Sequence, residues 1–269
     1  MPTLEIDGRK LYYEVHGEGE PLLCVHGLSV DTLGWALQLP SFSERYRTVI
    51  FDNRDVGQSA PVESDYEVAD MAADAIAVAD DAGLESFHLL GISMGGAIAQ
   101  ELALAASDRV RTLTLAVTFS RGGAWARALA DTWGARVRAM PHEHHVEELL
   151  LLNLSEEFYE NGEAVAFARN MMLQNPHPQA PEAFARQLAA SSRHDCADRL
   201  ATLEMPTHVI GGEHDILVPV WKSAELAQAI PGAKLTVLDR APHGLPLERA
   251  QEFNELVLGF IAEHEPVAV

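Results

Sequence analysis

Gly91-Ile92-Ser93-Met94-Gly95-Gly96 follows the apolar run Phe87 to Leu90 and leads into an Ala-rich segment with helical character. That order puts Ser93 on a sharp turn between a β-strand and an α-helix. A turn this tight forces the serine into a strained backbone conformation, and the residues two before and two after it must be small to clear the neighbouring strand and helix. Gly91 and Gly95 meet that need. The following helix points its free N–H groups and positive dipole end at the serine, where an oxyanion develops during acyl transfer. The turn is suited to a nucleophile.

A serine hydroxyl is a weak nucleophile at neutral pH and needs a general base, with an acid to orient that base. Thr207 to Gly212 reads as a short buried strand ending in a glycine turn, and Glu213-His214-Asp215-Ile216-Leu217-Val218-Pro219 follows it. Asp215 thus lies just past a strand's carboxyl end, as Ser93 does. The next apolar strand, Lys234 to Leu238, runs into Asp239-Arg240-Ala241-Pro242-His243-Gly244, which puts His243 on the same edge. Asp239 is the weaker choice of acid, because it precedes the histidine within one loop rather than arriving from a separate strand. Val117-Thr118-Phe119-Ser120, after the preceding strand, offers no carboxylate.

The chain order Ser93, Asp215, His243, with these local contexts, resembles the α/β-hydrolase superfamily. Cys24-Val25-His26-Gly27-Leu28-Ser29 is similar to the His-Gly turn after that family's third strand, and Asp52-Asn53-Arg54-Asp55-Val56-Gly57-Gln58-Ser59 is similar to its D-x-R-G-x-G-x-S turn after the fourth. The resemblance implies an oxyanion hole formed by the backbone N–H groups of Leu28 and Met94, with His26 fixing loop geometry. Asp55 stands where the pattern usually has glycine. Aspartate tolerates a left-handed backbone better than most residues, so the turn is expected to survive, with altered charge and solvation at the pocket rim.

Apolar strands alternating with helical patterns argue for an α/β fold, a mostly parallel sheet with helices on both faces. Leu4 to Asp7 and Lys10 to Val15 form an opening hairpin, followed by strands at Leu22 to His26, Thr48 to Asp52, Phe87 to Leu90 and Leu113 to Val117. Residues 120–200 lack strand-like alternation and carry helical stretches, among them Ala124 to Ala139, His145 to Asn153 and Ala180 to Ser191. The expected organisation is a core in two parts, 1–119 and 201–269, with a helical cap at 120–200 between them. The chain closes with an amphipathic segment, Leu247 to His264.

With 269 residues, 48% of them hydrophobic, the chain can bury a sizeable core. A formal net charge of −21 repels nucleic acid and anionic lipid surfaces, so neither is an expected partner. No apolar run is long enough for a membrane span, and Met1-Pro2-Thr3-Leu4-Glu5 lacks the regions of a signal peptide, so the expected location is cytoplasmic. Two cysteines, Cys24 and Cys196, far apart in sequence, indicate no disulfide framework. His142, His144 and His145 with Glu143, Glu147 and Glu148 match no established zinc spacing, and no metal is expected. No residue pattern specifies an oligomeric state.

Trp125, Trp133, Phe158, Phe167, Met171, Met172 and Leu173 lie in the cap, where such residues serve packing more often than ligand contact. Trp133, Leu217 beside the acid, and Trp35 shortly after the oxyanion turn are the candidate substrate contacts.

The resemblance implies cofactor-free attack of Ser93 on a carbonyl, and a serine nucleophile argues against the aspartate-dependent dehalogenase and epoxide hydrolase branches. The whole chain resembles the enol-lactonase and small carboxylesterase group. The expected substrate is a small to medium, mainly apolar ester or lactone. The alternatives are a carbon-carbon bond hydrolase of a ring-cleavage pathway, a cofactor-free haloperoxidase or perhydrolase, and a non-catalytic ligand receptor on the same scaffold. For the carbon-carbon reading, an arginine facing the pocket is the feature to seek, and Arg121, Arg169 and Arg193 lie in the cap.

Overall fold

The computed structural model describes residues 3–265. Met1, Pro2 and residues 266–269, which the two core parts of the expected organisation include, lie outside the described residues. Eight strands form one sheet: β1 (Thr3–Ile6), β2 (Arg9–His16), β3 (Glu20–Val25), β4 (Tyr46–Phe51), β5 (Phe87–Ile92), β6 (Val110–Ala116), β7 (Thr207–Gly212) and β8 (Lys234–Leu238). Their spatial order is β1-β2-β4-β3-β5-β6-β7-β8. The opening hairpin and the β2–β4 pair are antiparallel, and every other pair is parallel.

Period-two alternation sends successive strand residues to opposite faces. Leu23 and Val25 of β3, Val49 and Phe51 of β4, and Phe87 and Leu89 of β5 join a core layer with the Val68–Asp81 and Met94–Ala105 helices. Leu22, Cys24, Ile50, Leu90 and Ile92 join the layer on the other face, under the Ala250–Ala262 helix. Both faces are covered, which is why these strands read as apolar runs. Two strand histidines interrupt the runs and are each bonded across the ladder, His88 Nδ1 to Thr112 Oγ1 at 2.9 Å and His208 Nε2 to Thr236 Oγ1 at 2.8 Å.

The strand order reverses between β3 and β5, since β4 lies on one side of β3 and β5 on the other. In open α/β sheets this switch point leaves a crevice at the carboxyl ends of the strands, where ligands bind. Gly27 follows β3 and Ser93 follows β5, so both turns border that crevice.

Between β6 and β7 the chain makes five α-helices, Gly123–Ala139, His142–Asn153, Glu156–Tyr159, Gly162–Leu173 and Pro181–Arg193, and a short 3-10 helix, Ala197–Thr202. The first and last pack through Ala130, Trp133, Val137, Phe184 and Leu188. Helices His142–Asn153 and Gly162–Leu173 meet around Val146, Leu150 and Leu154, with Phe158, Met172 and Leu173 at the edge. The two ends of the insertion run side by side, joined by an isolated bridge between Arg121 and Asp195 and by Gly122 N–H donating to His194 O at 2.9 Å.

The helices at 156–159 and 162–173 have local signals that mark their starts. Ser155 Oγ accepts from Phe158 N at 3.1 Å, and Asn161 Oδ1 accepts from Ala164 N at 3.1 Å. Both are N-caps that satisfy first-turn donors. The expected amphipathic helix from Leu247 is instead two pieces, Leu245–Glu248 and Ala250–Ala262. Arg249 separates them with φ −119° and ψ 38°, outside the helical region. Among the described residues no helix is long and apolar enough to cross a membrane. Both cysteines are free and buried.

Candidate active site

Ser93 has φ 55° and ψ −122°, a backbone conformation open to few non-glycine residues. Its surroundings over-determine it. A Cβ on Gly91 would lie 2.4 Å from Gly95 O, and one on Gly95 would lie 2.2 Å from Val25 O. Gly96 is equally constrained, with Thr118 only 2.6 Å from a would-be Cβ. Ser93 N–H donates to Ala116 O at 2.9 Å, continuing the β5–β6 ladder past the strand end. Ser93 O accepts from Gly96 N at 2.9 Å, Ala97 N at 3.3 Å and Thr118 Oγ1 at 2.6 Å. The Thr118 bond was not legible in the sequence, where that segment stood out only for lacking a carboxylate.

Ser93, Asp215 and His243 meet. His243 Nε2 lies 2.9 Å from Ser93 Oγ, and His243 Nδ1 lies 2.7 Å from Asp215 Oδ2. Asp215 Oδ1 accepts from Leu217 N at 2.9 Å and Val218 N at 2.7 Å, so both carboxylate oxygens are occupied and the side chain is wholly buried. With the acid on Nδ1, the imidazole presents Nε2 to the serine in the sense a general base requires. Asp239 is not part of this chain of bonds; its side chain is exposed beside Arg240.

Gly27 sits against Ser93: a Cβ there would lie 3.0 Å from Ser93 Cβ and 3.5 Å from Ser93 Oγ. The absence of a side chain brings the Gly27–Leu28 peptide beside Ser93. Among the described residues neither Leu28 N–H nor Met94 N–H donates to another protein group. His26 Nδ1 accepts from Gly27 N at 2.8 Å, and burial, reinforced by His243, pushes its pKa down to about 3. A neutral His26 is therefore a fixed part of this turn rather than a proton carrier.

Trp35 is a correction to the expected substrate contacts. It is completely buried, its ring edge-on to His26 with centroids 4.8 Å apart, and it belongs to the sheet's core layer with Cys24, Ile50 and Leu245. Its indole offers no surface to a ligand and serves packing. Trp133 is also buried and donates from Nε1 to Glu148 at 2.7 Å, yet it lies in the apolar layer that includes half-buried Leu28, Leu129, Leu149, Leu152 and Leu217. Leu28 follows Gly27 and Leu217 N donates to Asp215, so this layer borders the Ser93–His243–Asp215 cluster. Trp125 and Phe167 are exposed.

Asp55 adopts the expected left-handed backbone, φ 69°. Its buried carboxylate is not left bare: Arg186 of the cap clasps it with bonds of 3.0 and 2.9 Å, Tyr66 Oη donates at 2.9 Å and Val62 N at 2.8 Å. Beneath the same loop Asp52 accepts from Thr32 N and Gln58 N, both at 2.7 Å, and burial raises its pKa to about 6.

Among the described residues the one group with metal-ligating types close together is Glu101, His194 and Cys196. Arg199 holds Glu101 at 2.8 and 2.5 Å, and His194 presents Nδ1 to Glu101 but Nε2 to Cys196. Arg199 already neutralises the Glu101 carboxylate, and burial pushes the Cys196 thiol up to about 12, away from the thiolate that a metal ion requires.

A family profile described as alpha/beta hydrolase fold matches residues 20–250. The chain is 30% identical over 272 residues to a protein of Azorhizobium caulinodans that carries the name carbamate hydrolase RutD, covering 98% of this chain and 99% of that one. It is also 30% identical over 271 residues to 2-hydroxy-6-oxononadienedioate/2-hydroxy-6-oxononatrienedioate hydrolase 2 of Pseudomonas putida, covering 94% and 91%. A thermophilic esterase from Thermogutta terrifontis matches in structure with a TM-score of 0.86 and 28% identity, over 98% of this chain and 97% of the other. With the fold, the strand-end crevice and these relatives in agreement, the chain belongs to the α/β-hydrolase family and is a hydrolase.

Proposed function

We propose that the chain is a serine hydrolase of small to medium, mainly apolar carboxylic esters or lactones. The observation that carries this reading is the unbroken path Ser93 Oγ, His243 Nε2, His243 Nδ1, Asp215, with steps of 2.9 and 2.7 Å, at the start of the Met94–Ala105 helix. His243 takes the hydroxyl proton as Ser93 Oγ attacks the carbonyl carbon, and Asp215 stabilises the imidazolium. The N–H groups of Leu28 and Met94 receive the negative oxygen. Collapse expels the alcohol, protonated by His243, and leaves an acyl-enzyme. Water then attacks with the same histidine as base, which frees the acid and restores Ser93.

Leu28, Leu129, Leu149, Leu152, Leu217 and Trp133 supply an apolar wall beside this path, which favours an apolar acyl or alcohol group. The carbon-carbon reading, prompted by the Pseudomonas putida relative, needs a cation for an acidic substrate. Arg121 is paired with Asp195, Arg169 with Glu147, and Arg193 with Glu67 and Tyr66 O, so each of the three candidate arginines is already engaged. A carbamate, as in the name of the Azorhizobium relative, presents the same planar carbonyl to the same machinery.

Hydrolysis of 4-nitrophenyl esters of increasing acyl length by wild type and Ser93→Ala tests the reading. Expected is turnover that falls by roughly 10⁴-fold or more in the variant. Equal rates in the two proteins overturn the mechanism. Tight retention of a ligand with no turnover of esters, lactones or carbamates favours the receptor reading instead.

A further inference from the structure

Gln187 is fully buried within the Pro181–Arg193 helix of the cap. An amide without partners there would carry an uncompensated desolvation penalty, so where its bonds go is informative. Its Oε1 accepts from Ser29 N–H at 3.1 Å and from Gln179 Nε2 at 3.0 Å, and its Nε2 donates to Arg54 O at 2.8 Å. One cap side chain therefore reaches both the turn after β3 and the turn after β4.

Ser29 directly follows Leu28 and has φ +66°, a left-handed conformation that is strained for a non-glycine residue. Among the described residues the backbone bond that closes its turn is a long one, Val30 N to Gly27 O at 3.4 Å. A strained residue in a weakly closed turn persists when something outside the turn holds it. Gln187 Oε1 is the side-chain acceptor on that residue's N–H. Without it, the torsions joining Leu28 to Ser29 are released, and the peptide next to Ser93 loses its fixed direction.

We propose that Gln187 is a positioning residue for acyl transfer: through Ser29 N–H it holds the Gly27–Val30 turn so that Leu28 N–H is aimed at the developing oxyanion, and the hole is complete only with the cap helix seated. The inference rests on the reading of Leu28 as an oxyanion donor. It makes the cap part of the catalytic geometry as well as a wall of the pocket.

The test follows covalent labelling of the intact chain by an alkyl fluorophosphonate. Ser93 Oγ forms a bond to phosphorus, the P–F bond breaks, fluoride leaves, and the hydroxyl proton passes to His243. The phosphoryl oxygen draws on the same donors as a carbonyl oxyanion, so the rate reads the hole without knowledge of the substrate. Two variants are compared with wild type, Gln187→Met, which keeps length but no hydrogen bonds, and Arg186→Met, which loses the adjacent ion pair but keeps Gln187. Expected is labelling roughly 10- to 100-fold slower in folded Gln187→Met, the scale of a displaced catalytic donor, with Arg186→Met within about threefold of wild type. Wild-type rates in folded Gln187→Met overturn the proposal, as do equal losses in both variants, which would signal general loosening of the cap. Amide exchange of Ser29 in the wild type decides the matter if Gln187→Met fails to fold: strong protection supports the lock, and exchange at the free-peptide rate overturns it. Absence of labelling in wild type overturns the nucleophile reading itself, while Ser29 exchange still reports whether Gln187 holds the turn.

Discussion

Around Ser93 the chain is fixed by what is missing, since Gly91, Gly95 and Gly96 sit where any Cβ would collide with backbone or with Thr118. The cap is fixed by what is added, long side chains such as Arg186, Gln187 and Arg193 that cross from one helix to the loops of the sheet. The first kind of constraint is local and tolerates almost no substitution. The second is distributed over several bonds, each replaceable at moderate cost. A side chain held to a few tenths of an ångström needs the former, whereas an insertion docked on the sheet's loops can rely on the latter.

Acid is the harshest way to break the comparison, because depressed histidines occur in both regions. Burial holds His26 at about 3, and His88, His208, His145 and His194 each at about 4. A histidine whose folded pKa lies below its unfolded value near 6.5 costs nothing above that pH. Below it the unfolded chain binds the extra proton, so stability falls as pH drops from about 6.5 toward 4. Asp52, raised to about 6, works in the opposite direction, since its protonation on the way down favours the folded state. Five groups against one predict a net acid loss. Urea midpoints measured from pH 7 to pH 4 are expected to fall steadily, and a flat profile would contradict it. Loss of near-ultraviolet signal from Trp133 in the cap in step with Trp35 in the core shows that the two regions part together.

A smaller effect sharpens the local side of the comparison. Gly95→Ala sets a Cβ 2.2 Å from Val25 O, a backbone atom that cannot rotate away. Expected is a loss of about 3 kcal/mol in unfolding free energy together with loss of ester turnover, the scale of overpacking in a closed site. Unchanged melting would mean the elbow is looser than its contacts imply.

The distributed side is probed most gently by Arg186→Met. Asp55 keeps Tyr66 Oη and Val62 N but loses its counter-ion, and the expected cost is about 2 kcal/mol, less than for a pair broken in a fully buried site. Chemical denaturation of the variant checks it. A cost above that of Gly95→Ala would reverse the ranking of the two regions.

The tight turn at Ser93 and the meeting of Ser93, His243 and Asp215 were legible in the sequence because each depends on a few neighbouring residues and on strand ends that apolar runs mark. The left-handed Asp55 was legible for the same reason. Its partner was not: Arg186 lies 131 residues away, and three other cap arginines drew attention instead. Gln187 carried no signal at all, since a glutamine amid alanines reads as a solvated helix position. Trp35 misled because closeness in sequence to Leu28 says nothing about which side of the sheet a ring falls on. Thr118 escaped because a search for carboxylates passes over a hydroxyl.

The paired ends of the insertion, held by the Arg121–Asp195 bridge, bear on how such a molecule changes over time. Entry and exit are neighbours, so the loop between them is already closed by the sheet, and its length enters only logarithmically into the closure entropy. Residues can be gained, lost or exchanged above the bridge without altering a strand register. Whatever replaces this insertion must still present an acceptor to Ser29 and a counter-ion to Asp55, and those requirements are what an exchanged segment would inherit.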